Sequence, residues 1–324
     1  NNFFLKHLYS QICIDGCHIE QTPMYHHLFL QDLILISEIN LNNDNNPFYK
    51  YILKVVNDFN LKLNPGLDEC SFFNDSNNYE FINSYDLDKF IKNNSLTESF
   101  KFSDFFLNNQ SGFHFVNNDK YKIIFFNSNI IAKYNPGHIH STLMPYEIYI
   151  SGIKKITNLG IKNYEEGLKR NLLRSDISKN SSYFGITSFG IYKSFRIFYY
   201  PKIIKHSFYN TQGGVYISYT YKFGLFKKFS YKRSFIITNL YLTVYECSNN
   251  LKFRSYINAE NHINILNNSK YNLNFYKFFK YKNFNIKSYL IRYKLISNNS
   301  RLSYKLDFDR FYEKKNTNNF RNQT

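Results

Sequence analysis

The sequence predicts an α+β chain, with helices first and then a long β-rich domain built as a sandwich or barrel. Three observations carry that expectation. Before about residue 93, apolar residues recur at helical spacing. After about residue 98, short apolar or alternating runs take over, separated by turn residues. Aromatic residues make up 20 % of the chain, almost all Phe and Tyr with no Trp, and β-branched and aromatic side chains fit a pleated, half-buried surface. An A+T-rich genome also yields an excess of Asn, Lys, Ile and Tyr, so periodicity weighs more than composition.

Taken in order, the first helix signal runs from Thr22 to Leu41, with Met24, Leu28, Leu30, Leu33, Ile34 and Ile36 at approximately helical spacing. Thr22 stands where an N-cap belongs and Pro23 at the first helical position. Pro47 to Leu63 is a second helix, its stripe made by Tyr51, Ile52, Val55, Val56 and Phe59, and Pro65-Gly66 ends it. Tyr85 to Lys92 is a third. The strand signals are Gly112–Val116, Tyr121–Asn127, Tyr146–Ile150, Phe195–Tyr199, Val215–Tyr221, Ser234–Thr238, Leu240–Tyr245 and Ile263–Ile265. Many short strands with turns between them mean a sandwich or barrel, and Asn117-Asn118-Asp119 reads as a hairpin turn. Lys314 to Thr324 is polar and expected to fray. The boundary falls near residues 93–100, giving a helical part over 1–97 and a β part over 98–324.

The chain has 324 residues, enough for one large domain or two ordinary ones. It begins with Asn1 and so reads as a fragment or a processed chain, and residues 1–20 lack the apolar core of a signal peptide. No stretch reaches the roughly 18 apolar residues of a membrane span. The net charge of +17 attracts anions: nucleic acid, anionic lipid or acidic polysaccharide. The basic residues are scattered. Tyr221-Lys222 and Lys227-Lys228 with their aromatic neighbours fit either a nucleic-acid surface or a solvated sheet face. Four cysteines, Cys13, Cys17, Cys70 and Cys247, form no Cys-x-x-Cys pair, which argues against a zinc ribbon or a thioredoxin motif. Cys13 and Cys17 stand either one helical turn apart or as ordinary buried thiols.

Function enters through ordered motifs. Asp15-Gly16-Cys17-His18-Ile19-Glu20-Gln21-Thr22-Pro23-Met24-Tyr25-His26 resembles a signature of the heparinase II/III-type polysaccharide lyases, where it enters a late helix of an (α/α) toroid. Phe72-Phe73-Asn74-Asp75-Ser76 resembles a loop of that family, and Ser111-Gly112-Phe113 the opening of its β-sandwich. Tyr134-Asn135-Pro136-Gly137-His138-Ile139-His140 follows, then Glu147, then Gly160, Tyr164, Gly167, Arg170, Arg174, Ser175 and Asn180, then Ser194-Phe195-Arg196, all in family order. Beyond about residue 200 the likeness fades, although Tyr231–Glu246 fits the next strand pair. The resemblance implies the end of an (α/α) toroid over 1–97 and a large antiparallel β-sandwich over 98–324.

It also implies β-elimination on uronate-containing polysaccharides. That reaction needs the substrate carboxylate neutralised, a base for the adjacent proton and an acid for the departing oxygen, each acid or base typically contributing about 10²–10⁴-fold. Tyr25 matches the catalytic Tyr of the family, and a basic site is expected to lower its pKa; taken alone it is a packed helix tyrosine, one of 30 in the chain. His138 matches a His in the cleft between toroid and sandwich, as second acid/base group or carboxylate partner; otherwise it is a hydrogen-bonded turn histidine. His26 is assigned to substrate binding by orienting its neighbours, or to the core. Arg170 and Arg174 fit an acidic sugar, since Arg forks onto carboxylates, or structural ion pairs. The carboxylate-neutralising residue of the family belongs to toroid helices that precede Asn1.

His140 matches a zinc ligand of several family members, and His-x-His on a strand sets both rings on one face. The remaining ligands are not matched. Asn158 stands for the ligand Asp, Lys179 for the ligand His, and Thr142 replaces the Asp after His-x-His. An amide is a poor zinc ligand and a protonated Lys is none. The expectation is no zinc and no cofactor, with Lys179 replacing part of the metal's charge beside the substrate site. The leading reading is a lyase whose partner is an acidic polysaccharide, in the periplasm or cell envelope as in the family. The alternative is a non-catalytic member that binds polysaccharide during surface assembly. A nucleic-acid binder is disfavoured by the motif order.

Overall fold

The computed structural model describes residues 2–39, 47–94, 111–127, 136–192, 195–211, 213–249, 251–261, 263, 265–267, 271–283, 286–297 and 300–308. Helices lead: α1 (Asn2–Ser10), α2 (Pro23–Ile39), α3 (Pro47–Leu63) and α4 (Ser84–Asn93). Two of the three expected helices shift by one or two residues at their ends and Pro47–Leu63 matches; α1 carries no comparable stripe in sequence. Pro23 does open α2, but the Thr22 hydroxyl turns back to the Glu20 carbonyl at 3.1 Å. The Met24 N–H is met instead by Ser76 Oγ at 3.2 Å, a remote cap that ties the Asn74–Ser76 loop to this helix end. Cys13 and Cys17 lie in a turn between helices, with Cys13 N–H donating to the Cys17 carbonyl at 2.8 Å.

The strands follow in chain order: β1 (Phe113–Asn117), β2 (Tyr121–Phe126), β3 (Tyr146–Ile150), β4 (Ile153–Ile156), β5 (Ser182–Tyr183), β6 (Ile191–Tyr192), β7 (Arg196–Ile197) and β8 (Lys202–Thr211). Then come β9 (Gly214–Phe223), β10 (Phe229–Ile237), β11 (Tyr241–Ser248), β12 (Arg254–Ala259), β13 (Ile265–Asn267), β14 (Tyr271–Asn283), β15 (Ile286–Ser297) and β16 (Arg301–Asp307). A short helix, α5 (Leu168–Arg174), interrupts them. An eight-stranded sheet runs β1-β2-β3-β4-β12-β15-β14 with β5 beside β12, and a six-stranded sheet runs β13-β16-β11-β10-β9-β8. Every pairing is antiparallel.

The turn after β1 forms as its residues dictate, Asn118 Oδ1 accepting from Lys120 N–H at 2.9 Å and Tyr121 N–H at 2.8 Å. The Tyr231–Glu246 pair is present as β10 and β11, with Arg233 opposite Glu246. The Phe195–Tyr199 run is a correction: only Arg196–Ile197 is extended, paired with β6 as a separate ribbon. Ile263–Ile265 also shifts, since the strand there starts at Ile265. Most of the segment expected to hold the domain boundary lies outside the described residues, as do Tyr134, Asn135, Ser194 and the Lys314–Thr324 tail.

The two sheets close on one core that includes Ile123, Phe125, Ile148, Phe235, Val244 and Tyr304. The alternate residues of β2 and β3, Ile124, Phe126 and Tyr149, point the other way and pack with Phe59, Leu63 and Phe73 of the helical part. At about 1.5–3 kcal/mol for each fully buried large apolar side chain, this second cluster docks the helices onto the eight-stranded sheet. Asp15 reinforces the joint, accepting from Ser111 N–H at 3.1 Å and Ser111 Oγ at 2.5 Å. Gly112 is required there: its φ is +80° and a Cβ would stand 2.2 Å from the Asn127 carbonyl oxygen. Among the described residues no helix is long and apolar enough to cross a membrane.

Candidate active site

Four side chains from three separate sequence segments meet at the joint. Glu20 lies in the turn before α2, Tyr25 in the first turn of α2, His138 at the end of a single 3₁₀ turn (Pro136–His138), and Tyr164 before α5. The rings of Tyr25 and His138 stack with centroids 4.7 Å apart and 19° between planes. The Tyr25 and Tyr164 hydroxyls are hydrogen-bonded to each other. His138 Nδ1 lies 2.9 Å from Glu20 Oε2. A carboxylate accepts, so Nδ1 carries the proton of a neutral ring and the lone pair is left on Nε2. All four residues are half-buried and still touch solvent.

The expected lowering of the Tyr25 pKa is corrected by its surroundings. Burial raises it; the Asp75 and Glu20 carboxylates add to the rise, against the Tyr164 hydrogen bond and the Arg170 charge, which lower it. The phenol is held neutral and poised as a proton donor. Tyr164 is likewise raised, chiefly by burial.

The side chains named as candidates for substrate binding stand inside the protein, each held by other parts of the chain. Arg170 is 2 % exposed and forks onto Asp75 at 2.6 and 2.5 Å; it also donates to the Gly137 carbonyl at 3.3 Å and lies 5.3 Å from the Tyr164 ring centre. Arg174, fully buried, donates to the Pro136 carbonyl at 3.1 Å and the Ile139 carbonyl at 2.5 Å. Together these two arginines of α5 clamp the turn that presents His138. His26 is fully buried, accepting from His18 N–H at Nδ1 (3.0 Å) and facing the Val56 carbonyl with Nε2 at 3.1 Å. Its proton therefore sits on Nε2, and no ring atom is left for a ligand.

His138 and His140 do not share a strand face. His140 is wholly enclosed, its Nε2 2.6 Å from Asp75 Oδ1 and its backbone N–H on Asn74 Oδ1 at 3.2 Å. Its Nδ1 and the Nζ of buried Lys179 lack hydrogen-bond partners. Burial lowers the Lys179 pKa to about 7, with Glu147 and Asp75 opposing. Asn158 spends its N–H and side-chain amide on Glu147 Oε1, at 2.8 and 3.2 Å. Among the described residues no three His, Cys, Asp or Glu side chains gather as a metal would need. The donor set does not fit zinc: one imidazole, one amide and one lysine stand where its ligands would be.

The sequence motifs thus contain the four half-buried residues, but Glu20 and Tyr164 carried no role there. The spacing of Glu20 before Tyr25 offers no local signal, because the carboxylate meets His138 across 118 residues.

Burial also sets a pH prediction. His26 is held at about 3 and His27 at about 4, in each case chiefly by burial. Both lie below the 6.5 of the unfolded chain, so the unfolded state binds more protons. The stability they protect is complete above about pH 6.5 and is lost as pH falls toward 4 and 3. Urea unfolding at pH 7, 6, 5 and 4.5 is expected to show a loss on the order of a few kcal/mol. A flat profile over that window contradicts neutral, enclosed histidines.

No protein-family model matches the sequence, and no curated protein matches it. Solved structures do. A crystal structure of heparinase III superposes with a TM-score of 0.69 at 13 % identity, over 94 % of this chain and 56 % of that one. A heparinase III gene product gives 0.68 at 12 % identity, over 94 % and 54 %. A mutant of the heparan sulfate lyase HepC from Pedobacter heparinus gives 0.67 at 13 % identity, over 93 % and 54 %. The chain spans little more than half the length of these structures, and what it shares with them at such identities is a fold: antiparallel sheets docked on helices in the heparinase III arrangement.

Proposed function

We propose that this chain is part of a polysaccharide lyase that cleaves an acidic, uronate-containing polysaccharide by β-elimination in the periplasm or cell envelope, with its helices the end of an (α/α) toroid. The observation that carries the reading is the half-buried group of Glu20, His138, Tyr25 and Tyr164. His138, oriented by Glu20, takes the proton from the carbon beside the uronate carboxylate on Nε2. The C–H electrons become the new C=C bond, the C–O bond to the leaving sugar breaks, and the Tyr25 phenol delivers its proton to that oxygen. Tyr164 holds the phenol in place. Arg170 and Arg174 act through the backbone that carries His138; the group that neutralises the substrate carboxylate comes from the part of the fold this chain does not span.

The full-length protein, incubated with a panel of uronate polysaccharides, is expected to release a product absorbing as an unsaturated uronate. Silence on every substrate with polysaccharide binding retained moves the assignment to the non-catalytic binder, which Asn158 and Lys179 at the lost ligand positions favour. In either case the buried Lys179 amine, near Asp75, His140 and Glu147, stands where a zinc ligand would, and no zinc belongs there. Metal analysis of the purified protein is expected to find none in stoichiometric amount; one zinc per chain sinks this part of the reading.

A further inference from the structure

The six-stranded sheet buries one face in the sandwich core, and strand alternation turns the other outward. Pairing registers line up the outward residues across five strands. Ser207, Ser218, Ser234, Tyr245 and Ser303 stand opposite one another from β8 to β16. Four of these five are serine, so the row is low and forms the floor of a trough. Between β10, β11 and β16 lies an open pocket of about 370 Å³ bordered by Lys232, Ser234, Tyr245, Arg301 and Ser303 together with the buried Glu246.

The row on one side is cationic: Lys205, Lys232 and Arg301 are all exposed. The row on the other side, Tyr209, Tyr216, Ile236, Thr243 and Lys305, is aromatic and apolar and ends in one lysine, whose Nζ lies 3.1 Å from the Tyr241 ring centre. The acidic residue nearest this floor by sequence, Glu246, is 2 % exposed and turns inward to Arg233 at 3.0 Å. Flat aromatic surface is present as well. Tyr245 is 43 % and Tyr209 52 % exposed, and Tyr209 stacks on Tyr216 with centroids 4.8 Å apart.

We infer that this outward face is a second binding surface, separate from the Tyr25–His138 group, and that its occupant is a stretch of acidic polysaccharide. The inference takes its ligand class from the proposed function but requires no turnover. Ser218 and Ser234 are buried and bonded to each other at 2.9 Å, so the hydroxyls of Ser207, Tyr245 and Ser303 are the ones that donate to and accept from sugar hydroxyls, while the lysines and arginine of the basic row meet carboxylate or sulfate groups. At ordinary strand spacing the floor is roughly 19 Å across, enough for several sugars laid perpendicular to the strands. A nucleic acid fits less well, since single strands bind on successive aromatic platforms and the floor offers one tyrosine among serines.

The probe is heparin, titrated calorimetrically into the purified chain at two salt concentrations, with uncharged dextran and single-stranded DNA alongside. Heparin is expected to bind, more weakly at high salt, and dextran not to. The exposed-charge reversals Lys232→Glu with Arg301→Glu turn two attractions into repulsions. At about 0.5 kcal/mol for each lost and each gained contact they are expected to raise Kd roughly tenfold or more with the thermal midpoint unchanged. Lys205→Glu with Lys305→Glu, on opposite sides of the floor, is expected to act in the same direction. Binding within twofold of the parent in both charge-reversed proteins overturns the inference. So does DNA binding as tight as heparin, or a concentration-dependent dimer that the reversals dissolve, which makes the occupant a second copy. Face-dependent binding with no unsaturated product from the full-length protein leaves this surface standing and removes the lyase reading; cleavage by the full-length protein with binding indifferent to the reversals does the opposite.

Discussion

His138→Ala is expected to lower kcat of the full-length protein by roughly 10²–10⁴-fold with little change in KM, the range a positioned acid or base supplies. The ring is 21 % exposed at its side chain and its Nδ1 is committed to Glu20 at 2.9 Å, so the work left to it is at Nε2. Tyr25→Phe removes the phenolic proton while keeping the stack against His138 at 4.7 Å, and is expected to fall in the same range. The two losses are not expected to multiply in the double variant, because an acid and a base that serve one elimination act as a unit. Glu20→Gln separates orientation from chemistry: the amide still fills the space but no longer favours the Nδ1–H tautomer, so a smaller drop in kcat than in His138→Ala is expected. Single-turnover rates on a defined oligosaccharide measure all four. A His138→Ala rate within threefold of the parent would leave the elimination without its assigned base.

The helices and the first strands were legible because their signals are local. Pro47–Leu63 carries its own stripe and its own Pro65-Gly66 stop, and Tyr146–Ile150 alternates between two apolar environments. The long hairpin of β14 and β15 was not, although its strands pair with each other in sequence, since Asn, Lys and Tyr interrupt its apolar residues. The site divides the same way. Tyr25 and His138 were named from ordered motifs, yet their meeting depends on contacts more than a hundred residues apart. The motifs named Arg170, Arg174 and Lys179 but could not choose between substrate contact and structural ion pairs. A basic residue near a motif says nothing of burial, and all three sit inside, two of them holding backbone carbonyls of the His138 turn.

Asp75→Asn is the second substitution with a large expected effect, on stability first and on catalysis through it. Asp75 is fully enclosed and accepts two bonds from Arg170 and one from His140, at 2.6, 2.5 and 2.6 Å. Burial alone would raise its pKa, but the His140 hydrogen bond and the Arg170 charge overcome that and hold it well below the usual carboxylate range. The amide keeps the shape and loses the charge, leaving the Arg170 guanidinium buried without a counterion. Breaking a buried pair from one side costs about 3–5 kcal/mol, and urea unfolding at pH 7 is expected to show a loss of that order. Arg170 also carries the Gly137 carbonyl and faces the Tyr164 ring, so its displacement loosens both His138 and Tyr25, and kcat is expected to fall as well. Asp75→Asn with Arg170→Met removes both charges and is expected to recover part of the stability, because the stranded cation is gone. It is not expected to recover kcat, since the Gly137 carbonyl then has lost its donor. A single variant within 1 kcal/mol of the parent, or a double variant no better than the single, would mean that Arg170 reaches water when its carboxylate is lost, and that the clamp on the His138 turn rests on Arg174 alone.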